Sequence, residues 1–485
     1  MYTKNALHQQ DIQPIITYRD RGTPEYVKQI GEVKRLLEKF TGDTKFREAF
    51  LQNPIKTAQA HDIHIDPEEI RLLWDYDTAI AHDSAVDETP LSVQRYRAFI
   101  REKKQHRAQS QAVLCASNDP RFKAWRDRQV QRSYSQLGKG TGEAIVHAPM
   151  SLELSKGCSV GCWFCGVAAP KLSDIFFYTP ENAQLWQETL TVLKAVVGPA
   201  AAHGFCYWAS DPLDNPDYEK FLIDFHRILN RFPQTTTAQP MKDPQRTRDL
   251  LQLSAEKGGF IDRFSIISLN LLKQVHQEFS AEELTFVELI TQNKEAHKTG
   301  KHVAGRARDF YRKQAEKNNE DKPNDAVSGT IACVSGFLFN MVDRSVKLIS
   351  PCNASERWPL GYYVYQEGTF HDGESLHALL MDMINNHMNT SVRHDQTIAF
   401  RRDLKYQEID DGFRLSSAFL HHNFSKVSDY LKELVEGIYE GNKTAGELAL
   451  AMEKKHDVAL EETFYNLNTF LQKGYLDEEP KPFSI

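Results

Sequence analysis

The chain has no apolar run of roughly 18 residues, the length a bilayer span needs, so no membrane crossing is expected. Its opening, MYTKNALHQQDIQP, lacks the apolar stretch of a secretory signal, and a cytoplasmic protein is expected. There is no excess of positive charge either: 59 Lys and Arg face 66 Asp and Glu, a formal charge of -7. That balance argues against a partner gripped by its phosphates, so neither nucleic acid nor membrane is expected as a partner. Cysteine is sparse and odd in number, seven in 485 residues, which argues against a disulfide framework. No repeat of fixed period is visible. What is present is ordinary globular material, 41% hydrophobic and 26% charged, with enough apolar surface for several cores.

The pattern along the chain divides it into five stretches. Residues 1–85 read as helical: Val27, Ile30, Val33, Leu37 and Phe40 form one stripe, and Phe46, Phe50 and Leu51 begin another, which Asn53-Pro54 interrupts. Asp66-Pro67-Glu68-Glu69 reads as a capped helix start. Residues 86–144 form a polar helical connector. Residues 145–365 alternate β-rich runs with amphipathic helices, the pattern of βαβ units on a parallel sheet. The expected strands are MSLELSKG, HGFCYWAS, TTTAQP, DRFSIISLN, TIACVSGFLFNMV and SVKLISPC. Residues 366–399 are connecting helices. Residues 400–485 read as a hairpin turning at Asp411-Gly412 and then three helices, the second with a Thr444–Glu447 capping box. A hairpin with three short helices suits a winged-helix-like module. Its acidic runs favour a peptide over DNA as the bound partner.

Three of the seven cysteines, Cys158, Cys162 and Cys165, fall on one short loop directly after the first β-run. Three thiolates so spaced suit an iron–sulfur cluster and leave one iron of a [4Fe-4S] cluster open to a small molecule. A zinc site needs a fourth ligand, and no His or Cys lies nearby at zinc-like spacing. Cys115, Cys206, Cys333 and Cys352 are scattered.

The spacing, with Phe164 before the third cysteine, resembles the signature of the radical S-adenosylmethionine enzymes. That resemblance implies a partial (β/α)6 barrel, one [4Fe-4S] cluster on Cys158, Cys162 and Cys165, and S-adenosyl-L-methionine held by the open iron. Family members follow the second strand with a Gly-Gly-Glu-Pro segment that binds the methionine amino group. Ala209-Ser210-Asp211-Pro212 occupies that place here, with Asp for Glu. Ser268 and Asn270, expected on one face of the strand DRFSIISLN, fall where the family touches the ribose. Gln239 and Arg306 are weaker candidates for carboxylate contacts.

No second set of cysteines is present for auxiliary clusters. A single cluster favours a reaction that removes no net electrons from its substrate. Epimerisation is one: a Cα hydrogen is taken from an L-residue and another is returned to the opposite face by a thiol. Cys352, in LISPCNASERWPLGYY, is the chosen donor, expected in a loop at the strands' carboxyl end, where barrel sites lie. Cys333, Cys206 and Cys115 compete with it. The stretches MSLELSKGCSVGCWFCGVAAPKL, FCYWASDPLDNPDY, FPQTTTAQPMKDP and VKLISPCNASERWPLGY resemble the radical S-adenosylmethionine peptide epimerases of proteusin-type ribosomal natural products. This implies a precursor peptide with a leader as substrate and a flavodoxin- or ferredoxin-type reductant. The segment EKFTGDTKFREAFLQNPIKTAQAHDIHIDPEEI resembles leader peptides of such precursors, and the C-terminal module resembles leader-binding winged-helix elements. Backbone excision or thioether formation by the same kind of enzyme is the alternative reading. An inactive leader-binding partner is a third.

Overall fold

The structure is a computed structural model describing residues 12–75, 89–114, 117–297 and 302–481. In chain order the helices of the first part are α1 (Pro24–Gly42), α2 (Thr44–Gln52), α3 (Pro54–Ala60), α4 (Leu91–Leu114) and α5 (Pro120–Ala144). Then come β1 (Ala148–Glu153), β2 (Ser155–Lys156), β3 (Asp174–Ile175), α6 (Pro180–Val197), α7 (Tyr218–Leu229), β4 (Thr236–Thr237), α8 (Pro244–Glu256), β5 (Asp262–Ile266), α9 (Leu269–Glu278) and β6 (Val287–Thr291). The last part holds α10 (Gly305–Asn318), β7 (Val334–Asn340), β8 (Ser345–Pro351), β9 (Tyr362–Thr369), α11 (Gly373–His387), β10 (Lys405–Ile409), β11 (Gly412–Ser416), β12 (His421–Ser425), α12 (Asp429–Glu440), α13 (Ala445–His456) and α14 (Leu460–Gln472). The fold is mixed α/β, with several small sheets. Among the described residues no helix is long and apolar enough to cross a membrane.

The chain packs as two compact units, one of residues 1–110 with 211–301, the other of 111–210 with 302–485. In the first, Thr23 caps α1 by accepting from the Tyr26 N–H, with Pro24 at the first helical position, where its missing N–H costs nothing. Asn53 caps α3 in the same way, which is why Asn53-Pro54 divides two helices. Val33 and Leu36 of α1 close a core with Phe46, Phe50 and Ile70. A β-carbon on Gly31 would stand 2.1 Å from the Ala281 carbonyl, so only glycine lets α1 approach so near. Asp66 accepts from the Glu68 N–H, but a turn follows and the helix is only Arg71–Trp74. The sheet β4-β5-β6 is parallel throughout, with Thr236 opposite Arg263 and Phe264 opposite Leu289. Leu272, Val275 and Phe279 pack on Phe264.

In the second unit β1 pairs in parallel with β7, and β8 and β9 extend the sheet antiparallel. The expected strand HGFCYWAS contributes one parallel bridge, Phe205 to Ser151. Helix α5 covers this sheet, with Phe122 stacked 5.6 Å from Phe337. Beside that apolar contact α5 buries a polar stripe: Arg126 donates to the His147 carbonyl, and Arg132 to Ser350 Oγ and the Pro351 carbonyl. The runs expected for one barrel thus fall in two sheets, β4-β5-β6 and β1-β7-β8-β9. Strands β6 and β9 were not expected.

The C-terminal part is the antiparallel sheet β10-β11-β12 over α12, α13 and α14, with Phe413, Leu415, Leu434, Ile438, Leu448 and Leu467 in its core. The Thr444–Glu447 capping box forms. The hairpin turn lies one residue earlier than expected: Ile409 pairs with Gly412, so Asp410-Asp411 make the turn. Gly412 serves the sheet instead, since a β-carbon there would stand 1.9 Å from the Phe424 carbonyl.

Candidate active site

The cysteine loop grows from the end of β1 through the hairpin β2–β3, in which Lys156 pairs with Asp174. Gly157 turns the chain at φ +84, where a β-carbon would stand 2.3 Å from the Lys171 carbonyl. Cys158 donates its N–H to the Pro170 carbonyl and accepts from the Leu172 N–H, which closes the loop's neck. Inside it, Cys165 donates to the Cys162 carbonyl, and the Ala169 N–H points at Cys165 Sγ at 3.4 Å. All three cysteines are half-buried. Phe164 is half-buried too, with its ring edge-on to Trp163 at 5.5 Å.

Arg306, at the start of α10, holds this loop from the side. Its backbone N–H donates to the Cys165 carbonyl at 3.0 Å and its Nη1 to the Cys162 carbonyl at 2.8 Å, while Nη2 reaches the Ala169 carbonyl. The guanidinium thus binds the loop backbone, where a carboxylate contact was expected. Burial pushes the Cys162 thiol up to about 11, with Cys165 and Cys158 adding to the rise. The three thiols therefore lie near enough to repel as thiolates, which a shared cation relieves. Three soft sulfur donors on a half-open loop fit an iron–sulfur cluster in donor chemistry. Their side chains are not drawn together as a finished ligand set: among the described residues no group of three or more His, Cys, Asp and Glu stands in metal-holding geometry.

Cys352 is the residue after β8 and is 1% exposed. Because β8 runs antiparallel to β7, its carboxyl end lies beside the amino ends of β7 and β1. The donor position is therefore not at the carboxyl end of the parallel strands, as had been expected. The cysteine loop folds back toward the same place: Gly305 donates to the Pro359 carbonyl while Arg306 holds Cys165, and Cys352 donates to the Gly361 carbonyl. Burial drives the Cys352 thiol far above its ordinary value against the pull of Arg132, so it stays protonated. Beside it Arg132 lies over the Tyr363 ring at 4.7 Å and lines a cleft of about 290 Å³ with Tyr363 and Trp358. Of the competing thiols, Cys206 is buried and raised by burial, Cys333 is half-buried, and Cys115 lies outside the described residues.

Ala209 and Ser210 are half-buried, and the Ala209 N–H donates to Glu153 Oε1 at 2.7 Å. Glu153 was not singled out in the sequence; its signal is an acidic residue within the run MSLEL, directly ahead of the cysteine motif. In the other unit, Asp211 is buried and accepts from the Leu213 N–H, the Thr237 hydroxyl and the Ala238 N–H. Gln239 donates to Asp214. Ser268 and Asn270 are not strand residues: β5 ends at Ile266, and Ser268 caps α9 by accepting from the Leu271 N–H. Both are exposed in the helix start, because a serine hydroxyl there satisfies an otherwise orphan amide.

Fold and loop define a mixed α/β protein in which a three-cysteine loop and a buried, protonated thiol are linked through Gly305, Arg306 and the Pro359–Gly361 segment. No protein-family model matches the chain. It is 40% identical over 438 residues to uncharacterized protein y4wI of Sinorhizobium fredii, a match that covers 89% of this chain and 84% of that protein; the chain belongs to the same family. Among solved structures, that of BtrN in complex with AdoMet and 2-DOIA aligns over 29% of this chain at 16% identity and a TM-score of 0.24. The alignment spans only 55% of BtrN, and a likeness of this size bears on neither fold nor function.

Proposed function

We propose that the protein is a radical S-adenosylmethionine peptidyl epimerase, which converts L- to D-residues in a ribosomally made precursor peptide. The reading includes the partial barrel, the winged-helix-like leader-binding module and a flavodoxin- or ferredoxin-type reductant. Cys158, Cys162 and Cys165 are the residues that would hold the cluster, and Arg306 fixes their loop. When bound, cluster and S-adenosylmethionine supply on reduction a carbon radical able to remove a Cα hydrogen. The chain's own part is the return of hydrogen. A donor must hold its hydrogen on sulfur at neutral pH and be shielded from side reactions with solvent. The observation that carries the reading is Cys352: buried, protonated, and next to the segment that Gly305 ties to the cysteine loop.

The test is production of the protein in deuterated water together with a leader-bearing precursor peptide of the proteusin type. The expected result is one extra mass unit at each inverted residue and D-configuration on hydrolysis, both absent with Cys352→Ala. A larger mass change, or D-residues formed by Cys352→Ala as by the wild type, contradicts it.

A further inference from the structure

We infer that Glu153, rather than Asp211, is the carboxylate that receives the α-ammonium group of S-adenosylmethionine; the inference rests on the proposed function and adds a contact to it. Glu153 ends β1, the strand that leads into the cysteine loop, and is 7% exposed. Its Oε1 takes the Ala209 N–H at 2.7 Å, and Oε2 has only the Asn340 side-chain amide at 3.3 Å. A carboxylate offers about four acceptor positions, so capacity remains. Among the described residues no cation pairs with it: Lys347, the lysine nearest in effect, is bridged to Glu367 at 3.2 Å.

A buried carboxylate without a cation is costly, and the cost appears as retained protons. Burial raises Glu153 to about 7; Ala209, Asn340 and Lys347 pull it down and Asp343 pushes it up. Tyr362, also facing it, is itself raised by burial and stays neutral. A cationic ligand with several N–H donors completes such a group, and an ammonium is that ligand. Asp211 is more nearly filled, since three donors of its own chain already take three of its roughly four acceptor positions, against two on Glu153. Glu153 joins the strand entering the cysteine loop to the Ala209-Ser210 segment.

The experiment is equilibrium dialysis of the anaerobically reconstituted protein against S-adenosylmethionine and against 5′-methylthioadenosine, which lacks the amino-acid end. For Glu153→Gln, binding of S-adenosylmethionine should weaken about tenfold or more, with 5′-methylthioadenosine unaffected. Wild-type affinity should rise with pH through about 7, as the carboxyl ionises, and the variant should not follow it. Equal affinity of wild type and Glu153→Gln for S-adenosylmethionine overturns the assignment. A cluster-loaded wild type that binds neither compound overturns the proposed function instead. If Glu153→Gln does not fold, Glu153→Asp serves: weaker binding that keeps its pH dependence is expected, and undiminished binding without it refutes the inference.

Discussion

Several buried groups in the second unit have their protonation set by where the backbone carries them. His147 stands at φ +52 between α5 and β1, with Nδ1 on Ser335 Oγ at 2.8 Å and Nε2 without a partner among the described residues. Burial, with Arg126 and Arg132 alongside, holds the ring neutral, far below its ordinary 6.5. Below about pH 6.5 the unfolded chain takes up a proton that the folded chain refuses, so stability should fall as pH falls. The slope from this one group approaches about 1.4 kcal/mol per pH unit. Urea unfolding between pH 7 and pH 5 should show the loss, and His147→Asn should flatten it; an unchanged slope contradicts the assignment. Cys352 follows the same logic with the opposite chemical use, since burial keeps hydrogen on its sulfur. The sequence marked Cys352 as isolated, but its burial and its neighbours Arg132 and Tyr363 come from strand pairing that no local pattern records.

At the scale of elements, what was legible had a local cause. The break at Asn53-Pro54, the capping box at Thr444 and the apolar stripe of α1 depend on residues within a turn of each other, and they form. The cysteine loop follows the first β-run as its spacing required. Where long-range pairing decides, reading along the chain failed. Ser268 looked like a strand residue because the apolar run continues past Ile266, yet its hydroxyl starts a helix. The direction of β8 is set by its hairpin with β7, and this moves Cys352 to the other end of the sheet. Arg306 reads in the sequence as a candidate for a carboxylate contact, but α10 places it on three carbonyls of the cysteine loop. Positioning contacts of this kind are worth about tenfold or more in metal affinity. Arg306→Ala should therefore lose iron to a chelator faster than wild type at an unchanged melting temperature. Equal iron retention contradicts the clamp.

At the scale of the molecule, family membership rests on 40% identity across most of both chains, and it ties this protein to a relative whose own name gives no activity. The function therefore rests on chemistry the sequence makes unusually specific, three cysteines on one loop and a separate cysteine at 352, and on packing that links the two neighbourhoods through Pro359–Gly361. The C-terminal module has its own core of Phe413, Leu434, Leu448 and Leu467, with β10 and β12 as the outer strands of its sheet, which suits the proposed leader. Its sheet was legible only as far as the first hairpin, because β12 is short and alternates exposed residues with half-buried ones.

The most direct measurement is the release of 5′-deoxyadenosine from S-adenosylmethionine by the anaerobically reconstituted, dithionite-reduced protein, beside a variant with Cys158, Cys162 and Cys165 changed to Ala. The account predicts 5′-deoxyadenosine and methionine from the wild type, and neither product nor cluster absorbance from the variant. A wild type that carries its cluster and leaves S-adenosylmethionine intact, or a variant that cleaves it equally well, contradicts the account.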